Sequence, residues 1–187
     1  MADRSDFEKA AMCHLDAVYR AAVAMCGHGD GAEDLAQQTF LKAWQRFDRF
    51  KVGTNCRAWL FRILRNLWID TLRHRKVVGP VMPLEEGRIA AGESKPRTAW
   101  TDARDLIENF ADEQVIGALL ELPDDQRLTL YLVDVEELSQ EEAAGILDVA
   151  VGTVKSRSSR ARNALKDRLT ERARELGLTK DGHDADS

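Results

Sequence analysis

The side chains with the most chemical potential fall in two stretches. Thr153, Ser156, Arg157 and Arg160 recur at three- and four-residue spacing, so on a helix they share one face. Arg reads guanine edges in a major groove, and Ser or Thr reaches bases or phosphates. Lys155, Arg162 and Lys166 surround that cluster and can neutralise phosphates. In the second stretch Arg62, Arg65, Asn66, Ile69, Arg73 and Lys76 lie opposite an apolar stripe of Leu60, Ile63, Leu64, Leu67 and Thr71. Trp59 flanks that polar side. Arg holds phosphate while an aromatic stacks on or replaces a base, a pairing suited to a strand being separated. The loop before it, Arg49 to Asn55, is polar and contains Gly53, so it can wrap an extruded base. The plainer alternatives are a basic helix in a bundle and tryptophans in a core. Trp68 reads as core; Trp59 stays open between the two.

Covalent chemistry has no comparable signal. His14, His28, His74 and His183 share no metal or acid–base spacing with acidic residues, which argues against a small nuclease. Cys13, Cys26 and Cys56 are odd in number without a CxxC pair, so a reducing cytoplasm is expected and a zinc site is not. The chain has 187 residues, with 27 basic and 32 acidic side chains and a net charge of −5. That average argues against a nucleic-acid binder, but it hides opposed segments. Residues 49–76 carry eight basic residues against one acid, and 149–168 carry six against one, for +7 and +5. Residues 112–148 hold eleven acids and one base, −10. The block is expected to screen non-specific binding and to cover the basic face of the N-terminal half. No apolar run approaches the roughly 18 residues of a membrane helix, and the first residues lack a signal-like apolar stretch.

These groups must be positioned by helices, since no strand-like alternation persists. Phe7, Ala10, Ala11, Leu15, Val18, Ala22 and Met25 predict one helix over 5–26, stopped by Gly27-His28-Gly29. A second is predicted over 32–47, with Leu35, Phe40, Ala43, Trp44 and Phe47 on one side, and a third over 56–76. Periodicity fades from Val77 to Ala111, which reads as a flexible interdomain linker, partly helical near 100–110. Beyond it a short helix around 115–120 ends at Leu122-Pro123. Another is predicted over 124–135 with Pro123 at its first position. Ser139 and Glu142 form a capping box that starts a third. A fourth begins near Ala150. The last pair fits a helix-turn-helix, with small Ala144 at the crossing and Val154 locking the second helix. The fold class is all-α, in two small helical domains.

Four segments carry a family resemblance. Asp34-Leu35-Ala36-Gln37-Gln38-Thr39-Phe40-Leu41-Lys42-Ala43-Trp44 resembles the core-polymerase-binding helix of region two in bacterial sigma factors. Thr54 to Asn66 resembles the promoter-melting and minus-10 segment. Leu122-Pro123-Asp124-Asp125-Gln126-Arg127 and Val151-Gly152-Thr153-Val154-Lys155-Ser156-Arg157 resemble region four. The size and the presence of these two regions alone resemble the extracytoplasmic-function group of the sigma-70 family. The resemblance implies region two over 5–76, a linker over 77–111, region four over 112–176 and an acidic tail over 177–187. It implies polymerase docking through Asp34, Leu35, Gln37, Phe40 and Trp44. It implies minus-10 contacts from Asn55, Arg57, Trp59, Arg62, Arg65, Asn66 and Arg73, with a flipped base near Asn55. It implies minus-35 contacts from Thr153, Lys155, Ser156, Arg157 and Arg160. The implied partners are core RNA polymerase, promoter DNA and an anti-sigma factor, without membrane insertion, cofactor or catalytic residue. Two departures bear on the second helix: Ser158 stands where a large apolar residue is usual, and Asp148 where glycine is common in the turn. The competing reading is a stand-alone helix-turn-helix regulator, which leaves the +7 segment unexplained.

Overall fold

A computed structural model describes residues 4–27, 29–51, 53–78 and 113–175, and no strand occurs among them. The predicted linker, with its expected helical piece near 100–110, lies outside the described residues, as does the acidic tail.

The first unit is built from α1 (Arg4–Ala11), α2 (Leu15–Cys26), α3 (Asp30–Gln45) and α4 (Cys56–Val78). The single helix expected over 5–26 is broken by a 3-10 turn at Met12–His14. Tightening from about 3.6 to about 3.0 residues per turn rotates α2 relative to α1. Leu15 is thereby carried out to solvent, 45% exposed, while Val18, Ala21, Ala22 and Met25 stay buried. Gly27, at φ +83, ends α2 with its N–H on the Val23 carbonyl, a conformation that favours glycine. The alanines of α2 let it lie close against α3 and α4. Phe47, expected at the end of the second helix, instead sits in a short 3-10 turn at Phe47–Arg49 and is buried beside Phe7.

The second unit holds α5 (Glu113–Leu120), α6 (Asp124–Leu130), α7 (Gln140–Leu147) and α8 (Val151–Glu175). Pro123 is the residue before α6 rather than its first helical residue, with ψ 138. Buried Arg127 ties α5 to α6: it donates to the Leu120 carbonyl and pairs with Asp124. The helix expected over 124–135 gives way after Leu130 to a wide π turn, Tyr131–Val135. That turn buries Tyr131 and Leu132 together and sets Glu136 at its end. The capping box forms as expected, Glu142 N–H to Ser139 Oγ at 3.1 Å and Ser139 N–H to Glu142 Oε2 at 3.0 Å. Asp148 adopts the left-handed conformation at the C-cap of α7, φ 55 and ψ 52, which Asp tolerates better than most side chains.

The apolar core is continuous across the two units. Phe61 of α4 and Tyr131 meet edge-on with ring centroids 6.3 Å apart, both 1% exposed. Helix α4 therefore buries a wider arc than its predicted stripe. A smaller cluster of Val115, Leu119, Leu122, Leu130, Ala161 and Leu165 ties α8 to α5 and α6.

Candidate nucleic-acid and docking surfaces

In α8, Val154, Ser158, Ala161 and Leu165 face inward. Ser158 is accommodated because its hydroxyl donates to the Lys155 carbonyl, 3.1 Å. Lys155, Ser156 and Arg160 are exposed, and Thr153 and Arg157 are half-buried. Four of these, Thr153, Ser156, Arg157 and Arg160, share the outward face that the spacing predicts. Arg157 Nε pairs with Asp125 of the same unit at 3.0 Å. The surrounding basic residues divide. Arg162 grips Asp134 with Nε and Nη2, at 2.9 and 2.6 Å, and braces the helix against the π turn. Arg168 and Arg172 close on Glu121, at 3.0 and 2.5 Å, and hold its carboxyl below the usual carboxylate range.

The expected docking helix, α3, exposes Asp34 and Gln37 and half-buries Phe40. Trp44 is 42% exposed and edge-on to Phe7 at 5.2 Å. Phe7, Glu8, Met12 and Trp44 line an open hollow of about 600 Å³. Leu35 differs from expectation: at 6% exposure it belongs to the core. Its substitution by a charge would test folding, not docking. Leu41, 57% exposed, is an outward apolar residue of α3 that the sequence pattern does not single out.

The expected minus-10 residues separate into two groups. Arg62 and Asn66 are exposed, Arg65 Nη1 donates to Asn66 Oδ1 at 3.0 Å, and Arg73 is exposed beside Asp70. These four line the outer side of α4. Asn55 and Arg57, at its start, touch the second unit, Asn55 while staying exposed and Arg57 half-buried. Asn55 Oδ1 accepts from the Ala58 N–H at 3.0 Å, and its Nδ2 donates to Glu142 Oε1 at 3.3 Å. Arg57 Nη2 donates to the Glu136 carbonyl at 2.5 Å, and Nη1 pairs with Glu136 Oε2 at 3.3 Å. Trp59 is half-buried, 4.9 Å from Phe50 and 6.4 Å from Phe47, so it is part of a partly exposed aromatic cluster. Trp68 is core, with Arg75 over its ring at 5.7 Å.

Arg20, Tyr131 and Glu136 join Arg57 at the junction, and the sequence pattern singles out none of them in that role. The thiols of Cys26 and Cys56 are pushed up to about 11 by burial, which keeps them protonated at neutral pH. Among the described residues no group of three or more His, Cys, Asp or Glu is placed to hold a metal, and no helix is long and apolar enough to cross a membrane.

Comparison with known proteins matches residues 11–77 to Sigma-70 region 2 and residues 112–165 to Sigma-70, region 4. The chain is 39% identical to the ECF RNA polymerase sigma factor EcfG of Rhodopseudomonas palustris, over 77% of this chain and 74% of that protein. It is 36% identical to SigE of Mycolicibacterium smegmatis, over 87% of this chain and 61% of SigE's length. It is 31% identical to SigW of Bacillus subtilis over 90% and 91%. Among solved structures, Bartonella quintana RpoE bound to the anti-sigma factor NepR superposes with a TM-score of 0.68 at 35% identity, covering 89% of this chain and 98% of that one. CnrH bound to the cytosolic domain of CnrY gives 0.62 at 26% identity, covering 91% of each. A stand-alone helix-turn-helix regulator would lack the region 2 match. The chain belongs to the extracytoplasmic-function group of the sigma-70 family, factors that give RNA polymerase its promoter specificity and are not themselves enzymes.

Proposed function

We propose that the first unit docks on core RNA polymerase through Asp34, Gln37, Phe40 and Trp44 of α3, with Leu35 holding that helix from beneath. The outer side of α4, with Arg62, Arg65, Asn66 and Arg73, receives the minus-10 DNA, and Trp59 offers its open side to an unstacked base. Asn55 and Arg57 join once the second unit is displaced. Binding to a captured base offsets the few kcal/mol of unstacking. Thr153, Ser156, Arg157 and Arg160 enter the minus-35 major groove, and Lys155 neutralises phosphate. Work of this kind is cytoplasmic. The similar RpoE structure holds an anti-sigma factor; by analogy this factor is restrained by one, and the Trp44 hollow suits an apolar side chain of such a partner.

The observation that carries this reading is the half-exposed Trp44 on the same unit as the outward basic side of α4. Reconstitution with core polymerase tests it. The chain should co-purify with core and start transcripts from a genomic promoter library. Trp44→Ala should weaken association with core by about tenfold or more, as loss of a central interface tryptophan does, while helicity stays near normal. Undiminished transcription by that variant would remove α3 as the docking helix.

A further inference from the structure

Asp124 and Asp125 open α6, and each holds an arginine. Asp124 pairs with Arg127 inside its own helix. Asp125 reaches across to α8, where its Oδ2 lies 3.0 Å from Arg157 Nε. Of Lys155, Arg157 and Arg160 on the outer side of α8, only Arg157 is ion-paired among the described residues. It is also the only one of them drawn partly inward, its side chain 25% exposed. The carboxylate comes nearest to Nε, the root of the guanidinium, and not to either terminal nitrogen. Its support is firm, because Leu130 of α6 shares a core cluster with Ala161 and Leu165 of α8. The pair itself adds little stability, since Asp125 is 51% exposed and solvent screens it.

We propose that Asp125 is a positioning residue for minus-35 readout: it fixes Arg157 as a guanine reader and withholds it from indiscriminate phosphate binding. The proposal rests on the reading that Arg157 enters the minus-35 major groove. An arginine free to swing serves any backbone phosphate, a contact that carries no sequence information. Anchoring Nε leaves Nη1 and Nη2 as a fork of donors. Guanine O6 and N7 match that fork, and adenine does not, because its N6 is itself a donor. A side chain held beforehand also loses less freedom on binding. The carboxylate repels phosphate, so a duplex without guanine at that point meets an acid with nothing to offset it. Asp125 thus trades raw affinity for discrimination.

The test uses holoenzyme and a duplex from a promoter that it transcribes. Single substitutions through the minus-35 element report base preference, and a scrambled duplex is the non-specific reference. Arg157→Ala marks the position that Arg157 reads, expected to be a G·C pair. Asp125→Ala should lower the preference at that position by about fivefold or more, leave the other minus-35 positions within about twofold, and raise affinity for the scrambled duplex. The salt slope on that duplex should steepen by up to about 0.9, the equivalent of one more phosphate neutralised. Asp125→Asn, which keeps the size of the side chain, should move these readouts in the same direction and decides the matter if Asp125→Ala misfolds. Adding Asp125→Ala to Arg157→Ala should lower no preference further. Glu141→Gln removes an exposed acid of the same unit that pairs with no arginine among the described residues, and should leave every preference unchanged. A merely structural role would weaken all duplexes together and blur several positions at once, and that result overturns the proposal. An A·T pair at the marked position overturns it too. If Arg157→Ala marks no position, the minus-35 reading fails and the proposal falls with it. If it marks one whose preference both Asp125 variants leave intact, the proposal fails alone.

Discussion

Two arginines of the factor are each paired with an acid, and the two pairs have opposite consequences. Arg57 finds Glu136 in the other unit, and the acid is almost wholly buried by the meeting. Arg157 finds Asp125 in its own unit, and Asp125 stays half exposed. The first pair exists only while the two units touch, so it couples one DNA-facing side chain to the arrangement of the whole chain. The second survives any movement of the units and leaves the outer face of α8 open to solvent. One reader is therefore conditional and the other standing. The difference lies in which unit supplies the acid, not in the arginine.

The largest effect is expected in the shared core. Phe61 packs in the first unit and meets Tyr131 of the second. Phe61→Ala should cost about 3–5 kcal/mol, the range for a fully buried ring, measured by urea unfolding. If the units are coupled as the continuous core requires, probes in α4 and α8 will lose stability together. A transition confined to α4 would show that the second unit stands independently.

Substitution of the two arginines has a smaller effect. Arg157→Ala should cost about 1–3 kcal/mol at the minus-35 element and relax the preference at one or two bases. That loss should be alike in free chain and holoenzyme. Arg57→Ala should impair promoter opening by the holoenzyme yet raise, not lower, non-specific DNA binding by the free chain. Competition assays with promoter and scrambled duplex distinguish the patterns. Equal losses on both duplexes for Arg157→Ala would mean that it holds only phosphate.

The same division separates what lies within one helix from what only the packing of the units creates. Spacing places Val154 inward and Ser156 and Arg160 outward, because both arise from the period of one helix. The capping box at Ser139 is legible for the same reason: all its partners lie within four residues. Leu35 misleads because its motif marks the helix and not the face. The pairing of Arg162 is hidden because its partner, Asp134, lies 28 positions away in a π turn that no local pattern announces. The acidic block does reach the basic segment, but through Glu136 and Glu142 individually, at positions that only the packing of the units selects.

A smaller effect is expected in the standing unit. A Cβ on Gly117 would lie 2.6 Å from Arg172 Nη1, and that nitrogen donates to the Gln114 carbonyl at 2.9 Å. Gly117→Ala should displace the guanidinium and cost about 1 kcal/mol in lost hydrogen bonding, partly offset by better helix propensity. Since α8 is held near its DNA-facing start by Arg162 and Asp134, minus-35 affinity should change little. A large loss of affinity would mean that the far end of α8 sets the pose of its outward face.

The smallest effect is one of pH, and it falls on the conditional reader. His14 lies beside the Arg57–Glu136 pair. Burial, and then the Arg57 charge, hold its imidazole below the ordinary value of 6.5, with Glu136 opposing. The unfolded chain therefore takes up a proton at His14 more readily than the folded one. Stability from this group is complete above pH 6.5 and is lost as pH falls from there toward the depressed folded value. Urea midpoints between pH 7.5 and 5.5 should fall for the wild type by more than for His14→Gln, because only the former protonates there. Arg157 pairs with Asp125, not with a histidine-bearing junction, so minus-35 binding corrected for unfolding should show no matching difference between the two proteins. Identical slopes for wild type and His14→Gln would mean that solvent screens the imidazole from Arg57, and that the junction is wetter than its packing indicates.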